Sequence, residues 1–176
     1  MRANTLIGEA MVQAGDVSVL FKPSLSNITQ IGSPTEIVEA YALVMADEAP
    51  WFERLTRCID VLYACADRFD ADVERMIGHY NPVGRRYTPG RIEPRAVIAI
   101  ACQMMRHGVI GDMERQRTKQ GDDYTREFLA VDMAAMAQAH LGVSVDESWQ
   151  MTMTSIVRAM SSKFPLPEDQ KLAGGM

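Results

Sequence analysis

The sequence predicts a mainly α fold, a helical bundle of about five to six helices with a short N-terminal β-hairpin or extended arm. Beyond residue 33, apolar residues recur at spacings of three and four, as they do on the buried side of a helix. Residues typical of helix starts and stops bracket these stretches. Hydrophobic residues make up 47% of the chain and charged residues 23%, so the composition is that of a globular protein with a core.

The 176 residues are predicted to form one domain, because this length suits a single hydrophobic core. Its parts are an N-terminal arm or hairpin (1–32), a helical part (33–79), a basic loop rich in proline and glycine (80–94), a second helical part (95–164) and a flexible tail (165–176).

Alternating apolar residues near the N-terminus predict the hairpin. Val17, Val19 and Phe21 alternate with other residues after a Gly15-Asp16 turn. Two strands alone are marginal in water, so the hairpin needs the helical body or another subunit to pack on. A homo-oligomer is therefore left open.

Two capping patterns mark helix starts. Ser33 is followed three residues later by Glu36, and Ser144 is followed in the same way by Glu147. Gly142 suits the left-handed conformation that ends a helix. The chain is therefore predicted to form one helix over 124–141 and a second one from 144 to about 163.

The second of these helices carries an apolar stripe that could bind a partner. Its candidate groove residues are Trp149, Met153, Ile156 and Met160. The sequence also holds 13 methionines, whose flexible side chains suit surfaces that accept varied partners. An alternative groove is the face of Trp51, Phe52 and Leu55, and plain core packing of either set is the simpler interpretation.

Cysteine usage and hydropathy indicate the compartment. Cys58, Cys65 and Cys102 are odd in number, match no metal spacing and lie in helical patterns, so we expect reduced core thiols. Neither a signal peptide nor an apolar run of membrane-spanning length is present. The sequence predicts a soluble cytoplasmic protein without contact to membranes.

Basic residues concentrate in the middle of an acidic chain. Residues 85–119 contain eight basic and three acidic residues, whereas the net charge of the whole chain is −5. Arg85, Arg86 and Arg91 are the candidate docking patch for an acidic partner. A pI of about 5.2 and the lack of a recognisable binding motif disfavour nucleic acid as the partner.

No motif predicts catalysis, a metal site or a cofactor. His79, His107 and His140 lie on separate segments without HExxH or CxxC context. Gly84 and Gly90 lie in a proline-containing loop and do not form a phosphate-binding motif. The prediction is a non-enzymatic protein, with a small enzyme built from distant residues as an alternative.

The two ends of the chain carry a family resemblance. The segment FKPSLSNITQIGSPTEIVEAYA, and a closing helix with Trp149-x-x-x-Met153 that ends in Met160-x-x-Lys163-Phe164-Pro165, resemble small tail-module proteins of long-tailed bacteriophages. The resemblance covers about a third of the chain and omits its basic middle.

This resemblance implies a tail assembly chaperone, a helical protein that holds the tape measure protein or tail tube subunits soluble in the host cytoplasm while the tail assembles. A structural virion component, such as a minor tail or head–tail joining protein, is the alternative. Donation of an N-terminal strand to a neighbour would favour that alternative.

Overall fold

The computed structural model describes residues 2–111 and 126–165. Within these ranges the chain forms two β-hairpins and eight α-helices. The strands are β1 (Ala10–Ala14), β2 (Val17–Phe21), β3 (Gly78–Asn81) and β4 (Arg86–Pro89). The helices are α1 (Leu25–Ile28), α2 (Pro34–Met45), α3 (Trp51–Cys65), α4 (Ala71–Ile77), α5 (Pro94–Met105), α6 (Ala130–Leu141), α7 (Val145–Gln150) and α8 (Met153–Lys163). A 3₁₀ turn (Thr5–Ile7) precedes β1, and a π-helical turn (Arg106–Ile110) extends α5.

The prediction of a mainly α bundle with five to six helices is wrong. The described residues form a mixed α and β structure, with more helices and with a second antiparallel hairpin, β3 with β4. That hairpin, residues 78–89, takes up most of the segment predicted as a basic loop (80–94). Its strands have only four residues each, too few for an alternating pattern to stand out. Arg85 takes the left-handed conformation in its turn, with φ of 46°, where glycine or asparagine is the usual signal.

Three tyrosines hold the β3–β4 hairpin in place. The hydroxyl of Tyr63 on α3 donates to the carbonyl of Gly78 at 3.0 Å, and that of Tyr80 donates to Asp60 Oδ1 at 2.8 Å. Tyr87 OH donates to the Ile77 carbonyl at 3.1 Å. Burial, together with the Asp60 hydrogen bond, raises the pKa of Tyr80 to about 12, so the hydroxyl remains a donor at neutral pH.

The single helix predicted from residue 144 to about 163 is two helices. Residues 151 and 152 are extended, because the Leu25 N–H donates to the Met151 carbonyl at 2.9 Å and Ser24 forms a bridge with Thr152. Thr152 then caps α8, accepting a hydrogen bond from the N–H of Ser155 at 3.1 Å. A contact with a distant part of the chain thus interrupts the helical pattern.

The predicted N-terminal hairpin is confirmed, and β2 packs on the chain's own helical body. Val17, Val19 and Phe21 are buried. The outer edge of β2 is covered by the residues that follow α3, since the Asp67 N–H donates to the Leu20 carbonyl at 2.8 Å and Ala66 forms a bridge with Phe21. The hairpin therefore has the packing partner that its small size requires.

The local helix signals are confirmed where the structure describes them. Ser33 with Glu36, and Ser144 with Glu147, form reciprocal capping boxes. Gly142 ends α6 in the left-handed conformation, with φ of 67°. α6 begins at Ala130, later than the predicted residue 124. Residues 124 and 125 of that predicted helix, and the predicted tail beyond residue 165, lie outside the described residues.

The main core lies where α3 packs against α5, with α2 alongside. The predicted core positions of Cys58 and Cys65 are confirmed, since both side chains are fully buried. Burial raises the pKa of each thiol to about 12, so both are protonated at neutral pH. Cys102 on α5 is half-buried, with its Sγ 3.6 Å from the Val44 carbonyl.

Candidate functional site

An apolar groove of about 320 Å³ lies between α6 and α8. One wall comes from α6 and the other from α8 and the residue after it. The groove is lined by Met133, Met136, Met153, Ile156, Val157, Met160, Ser161 and Phe164. Four of its eight lining residues are methionines, so the surface is both apolar and adaptable.

The groove has a covered floor and an exposed rim. Ile156 is 1% exposed and Met153 is 8% exposed, whereas Phe164 is 54% exposed. Met136 and Met160 are half-buried. This gradient leaves apolar side chains at the rim in contact with solvent, where an apolar partner could displace the water.

The C-terminal ends of the two helices meet at one end of the groove. Lys163 at the end of α8 donates to the carbonyl of His140, near the end of α6. The His140 ring also packs edge-on against Phe164, with ring centroids 5.8 Å apart. These contacts place Phe164 at the groove and tie α8 to α6.

Three of the four predicted groove residues line the groove. Met153, Ile156 and Met160 line it, and Met153 and Ile156 are also buried members of the core. Trp149 lies on α7, is half-buried against the core and does not line the groove. Met133 and Met136 were not predicted as groove residues. Their apolar spacing along the helix predicted over 124–141 was visible in the sequence. Such spacing does not distinguish the wall of a groove from a face packed in the core.

The alternative face divides between core and surface. Leu55 is fully buried, whereas Trp51 is 55% exposed and packs edge-on against Tyr87 at 6.3 Å between ring centroids. Phe52 is half-buried beneath the guanidinium of Arg85, which lies 5.0 Å from its ring centroid. This face is a contact with the β3–β4 hairpin.

The three predicted docking arginines do not form one free patch. Arg85 binds Glu53 at 2.7 Å, and this hydrogen bond holds the pKa of the Glu53 carboxyl below its usual value. Arg91 donates to Asp16 and to the Ala14 carbonyl on the N-terminal hairpin. Arg86 is exposed, and no ion pair forms for it within the described ranges. The contacts of Arg85 and Arg91 are on α3 and the first hairpin, away from the groove walls.

The histidines lie in three separate environments. His79 contacts Glu74 at 3.1 Å, and His107 is buried with its Nδ1 2.7 Å from Thr154 Oγ1. His140 stacks at the end of the groove. Within residues 2–111 and 126–165, no group of three or more histidine, cysteine or acidic residues is placed to hold a metal ion.

The groove can bury apolar side chains, and its lining contains a single hydroxyl, that of Ser161, among apolar residues. This composition suits recognition of an apolar surface by packing. No helix in the described part of the chain has both the length and the apolar character needed to cross a membrane.

Comparison with known proteins gives one family match. Residues 52–173 match the model of a family of unknown function, DUF6246. The match spans α3 to α8, including both walls of the groove, and leaves out the N-terminal hairpin. Neither a curated protein nor a solved structure matches the chain. Because the family model covers more than half of the sequence, the chain belongs to the DUF6246 family.

Proposed function

We propose that this protein is a tail assembly chaperone of a long-tailed bacteriophage. In this role it is a non-catalytic binding protein that holds the tape measure protein soluble in the host cytoplasm until tail subunits assemble around it. The methionine-lined groove between α6 and α8 is the observation that carries the proposal.

The shape and lining of the groove suit an amphipathic helix. Two helices form its walls, and apolar side chains of a third helix at successive turns can enter between them. Methionine accommodates side chains of different shapes because it is unbranched and has three rotatable bonds. A chaperone needs this tolerance, since it must bind many apolar turns along a long partner.

The partner's identity comes from the resemblance of the chain ends to tail-module proteins. The closing segment of that resemblance includes Met153, Met160 and Phe164, which also line the groove. The residues that suggested the family are therefore residues of the proposed binding surface.

Co-expression tests the proposal. The tape measure protein encoded in the same genome is produced alone, with the wild-type chain, with Met136→Glu or with Ala135→Glu. Met136 lines the groove, whereas Ala135 is exposed on the same helix, so both variants add one carboxylate to α6. We expect the wild-type chain and Ala135→Glu to keep the partner in the soluble fraction and Met136→Glu to lose it to the pellet. Equal solubility with all three chains would refute the groove's role.

A structural tail component is a second candidate, favoured by the free outer edge of β1 in the two-stranded sheet of the described residues. Such an edge can pair with a neighbouring subunit. Purified particles separate the two functions, because a chaperone is absent from them and a structural component is present in stoichiometric amounts.

A further inference from the structure

The two edges of the N-terminal hairpin differ in their hydrogen bonding. On β2, the Leu20 carbonyl accepts from the Asp67 N–H at 2.8 Å. The Ser18 carbonyl accepts from the Arg68 guanidinium at 2.7 Å. Both carbonyls therefore point away from β1, and the outer edge of β2 is occupied.

The register of the hairpin then fixes the direction of the groups on β1. Met11 lies opposite Leu20, and Gln13 lies opposite Ser18. In an antiparallel pair of strands, two opposite residues either exchange both backbone hydrogen bonds with each other or both direct their N–H and C=O groups away from the partner strand. The N–H and C=O groups of Met11 and Gln13 thus point away from β2. Throughout the described residues these four groups have no backbone or side-chain partner, and both residues are exposed.

The open stretch of β1 has defined ends and no protective charge. At one end the Glu9 N–H donates to the Asn4 carbonyl at 3.2 Å, and at the other the strand ends in the Gly15–Asp16 turn, beside which Arg91 lies. The strand between them, AMVQA, contains no charged residue and no proline. Natural edge strands commonly carry such residues because they prevent pairing with another chain.

We propose that β1 pairs antiparallel with β1 of a second copy of this chain, about a two-fold axis at Val12. In this register Met11 of each copy lies opposite Gln13 of the other, and each such pair exchanges both backbone hydrogen bonds. All the outward groups of both strands are then bonded. The two hairpins form a continuous four-stranded antiparallel sheet with the order β2, β1, β1, β2.

The positions of the open groups support the second copy as the occupant. They belong to Met11 and Gln13, on either side of Val12, so pairing about Val12 matches each open residue with the other. The charged residues beside the open stretch keep the partners in their own copy. The Glu9 carboxylate accepts from the Asn4 N–H at 2.8 Å and lies 3.7 Å from Lys22 Nζ, and Arg91 binds Asp16. A register centred on Met11 instead pairs Gln13 with Glu9, whose N–H is already bonded to Asn4.

Disulfide trapping tests the register. Val12→Cys and Gln13→Cys are compared under mild oxidation in a Cys102→Ser background, which removes the half-buried native thiol. At the axis, the two Val12 positions form a non-hydrogen-bonded pair with Cα atoms about 4.5 Å apart, within disulfide range. We expect Val12→Cys to form a covalent dimer and Gln13→Cys to form no disulfide between copies. No dimer with Val12→Cys, or equal trapping of both variants, would overturn the proposal.

Proline variants test the edge itself. Gln13→Pro removes only an outward N–H, whereas Val12→Pro removes a bond to β2. By sedimentation velocity, the wild-type chain is expected to associate as its concentration rises. Gln13→Pro is expected to stay monomeric with an unchanged melting temperature, and Val12→Pro to melt at a lower one. A wild-type chain that stays monomeric, or Gln13→Pro that associates equally well, would contradict the pairing.

This dimer does not depend on the chaperone function. Met136→Glu should abolish partner solubility and leave the Val12→Cys dimer intact, so failure of one proposal can be told from failure of the other.

Discussion

Methionine lines two helical regions of this protein, and its burial differs between them. On α5, Met104 and Met105 are fully buried where α2 and α3 pack against that helix. On α6, Met133 and Met136 are half-buried and line an open groove with α8. The residue type is the same, and the difference is whether another helix covers it.

The comparison shows that the role of a row of methionines depends on whether another helix covers it. In the covered region methionine fills space in a close-packed core, where removal of even one methylene group lowers the stability. In the open region it presents a deformable apolar surface to solvent. Stability and binding should therefore depend on different sets of residues, and variants in the two regions can test this separation.

The largest expected effect is in the covered region. Leu62 on α3 is fully buried, so Leu62→Ala should lower the free energy of unfolding by about 2 to 5 kcal/mol. Urea denaturation measures this loss. A loss below about 1 kcal/mol would mean that the α3–α5 region is not the main core.

A smaller effect is expected at the start of α7, which connects the two groove helices. The Ser144 hydroxyl accepts from the Glu147 N–H at 3.2 Å. Ser144→Ala removes this cap and should cost about 1 kcal/mol of unfolding free energy. Ser144→Asp, which can accept the same hydrogen bond, is the matched control and should retain most of the stability.

The groove methionines should contribute less to stability than the core residues do. Met136 is half-buried, so Met136→Ala removes only part of a buried side chain and should cost about 1 kcal/mol or less. Urea denaturation beside Leu62→Ala makes the comparison direct. Equal losses for the two variants would show that the α6–α8 region is ordinary core.

The α7 cap should also give a small pH dependence. Hydrogen bonds from the Ser144 backbone and side chain hold the pKa of Glu147 below its ordinary value of 4.5. The folded state thus binds this proton less tightly than the unfolded state, and the carboxylate stabilises the fold above the ordinary pKa. This stabilisation is lost as the pH falls through the pKa of the folded state. The stability difference between wild type and Glu147→Gln should therefore shrink in thermal melts below about pH 4.

The smallest effect is expected outside both regions. The Arg85–Glu53 pair is exposed, with side chains 65% and 40% accessible, so Arg85→Ala should change the unfolding free energy by about 0.5 kcal/mol or less.

If arginines at the second hairpin dock an acidic partner, Arg86→Ala should weaken partner binding, and added salt should do the same to the wild-type chain. Salt-independent binding would leave the groove as the interaction surface.

Local signals in the sequence predicted several helix ends correctly, although the predicted fold class was wrong. Ser33, Ser144 and Gly142 act through hydrogen bonds and backbone conformation within a few residues, so their helix ends could be read directly. The break between α7 and α8 depends on contacts with Leu25 and Ser24, far away in the chain. No local pattern carries that information.

The sequence predicted which apolar residues of α8 lie at the candidate site, but it did not show that they line a groove. The apolar stripe that includes Met153, Ile156 and Met160 was visible from its spacing. Its role as a groove depends on what packs over it, and amphipathicity alone does not show this. The β3–β4 hairpin was missed for a related reason, since tyrosine contacts with α3 and α4 hold its short strands.

Site-specific photo-crosslinking tests the central claim, that the α6–α8 groove is a binding surface for an apolar helix, most directly. A photoreactive residue is placed at Met136 in the groove or at Ala135, which is exposed on α6, and the chain is co-expressed with the tape measure protein. We expect crosslinks from Met136 to map to apolar positions spaced three and four apart in that partner, and none from Ala135. Equal crosslinking from both positions, or crosslinks from Met136 only to this chain itself, would contradict the claim.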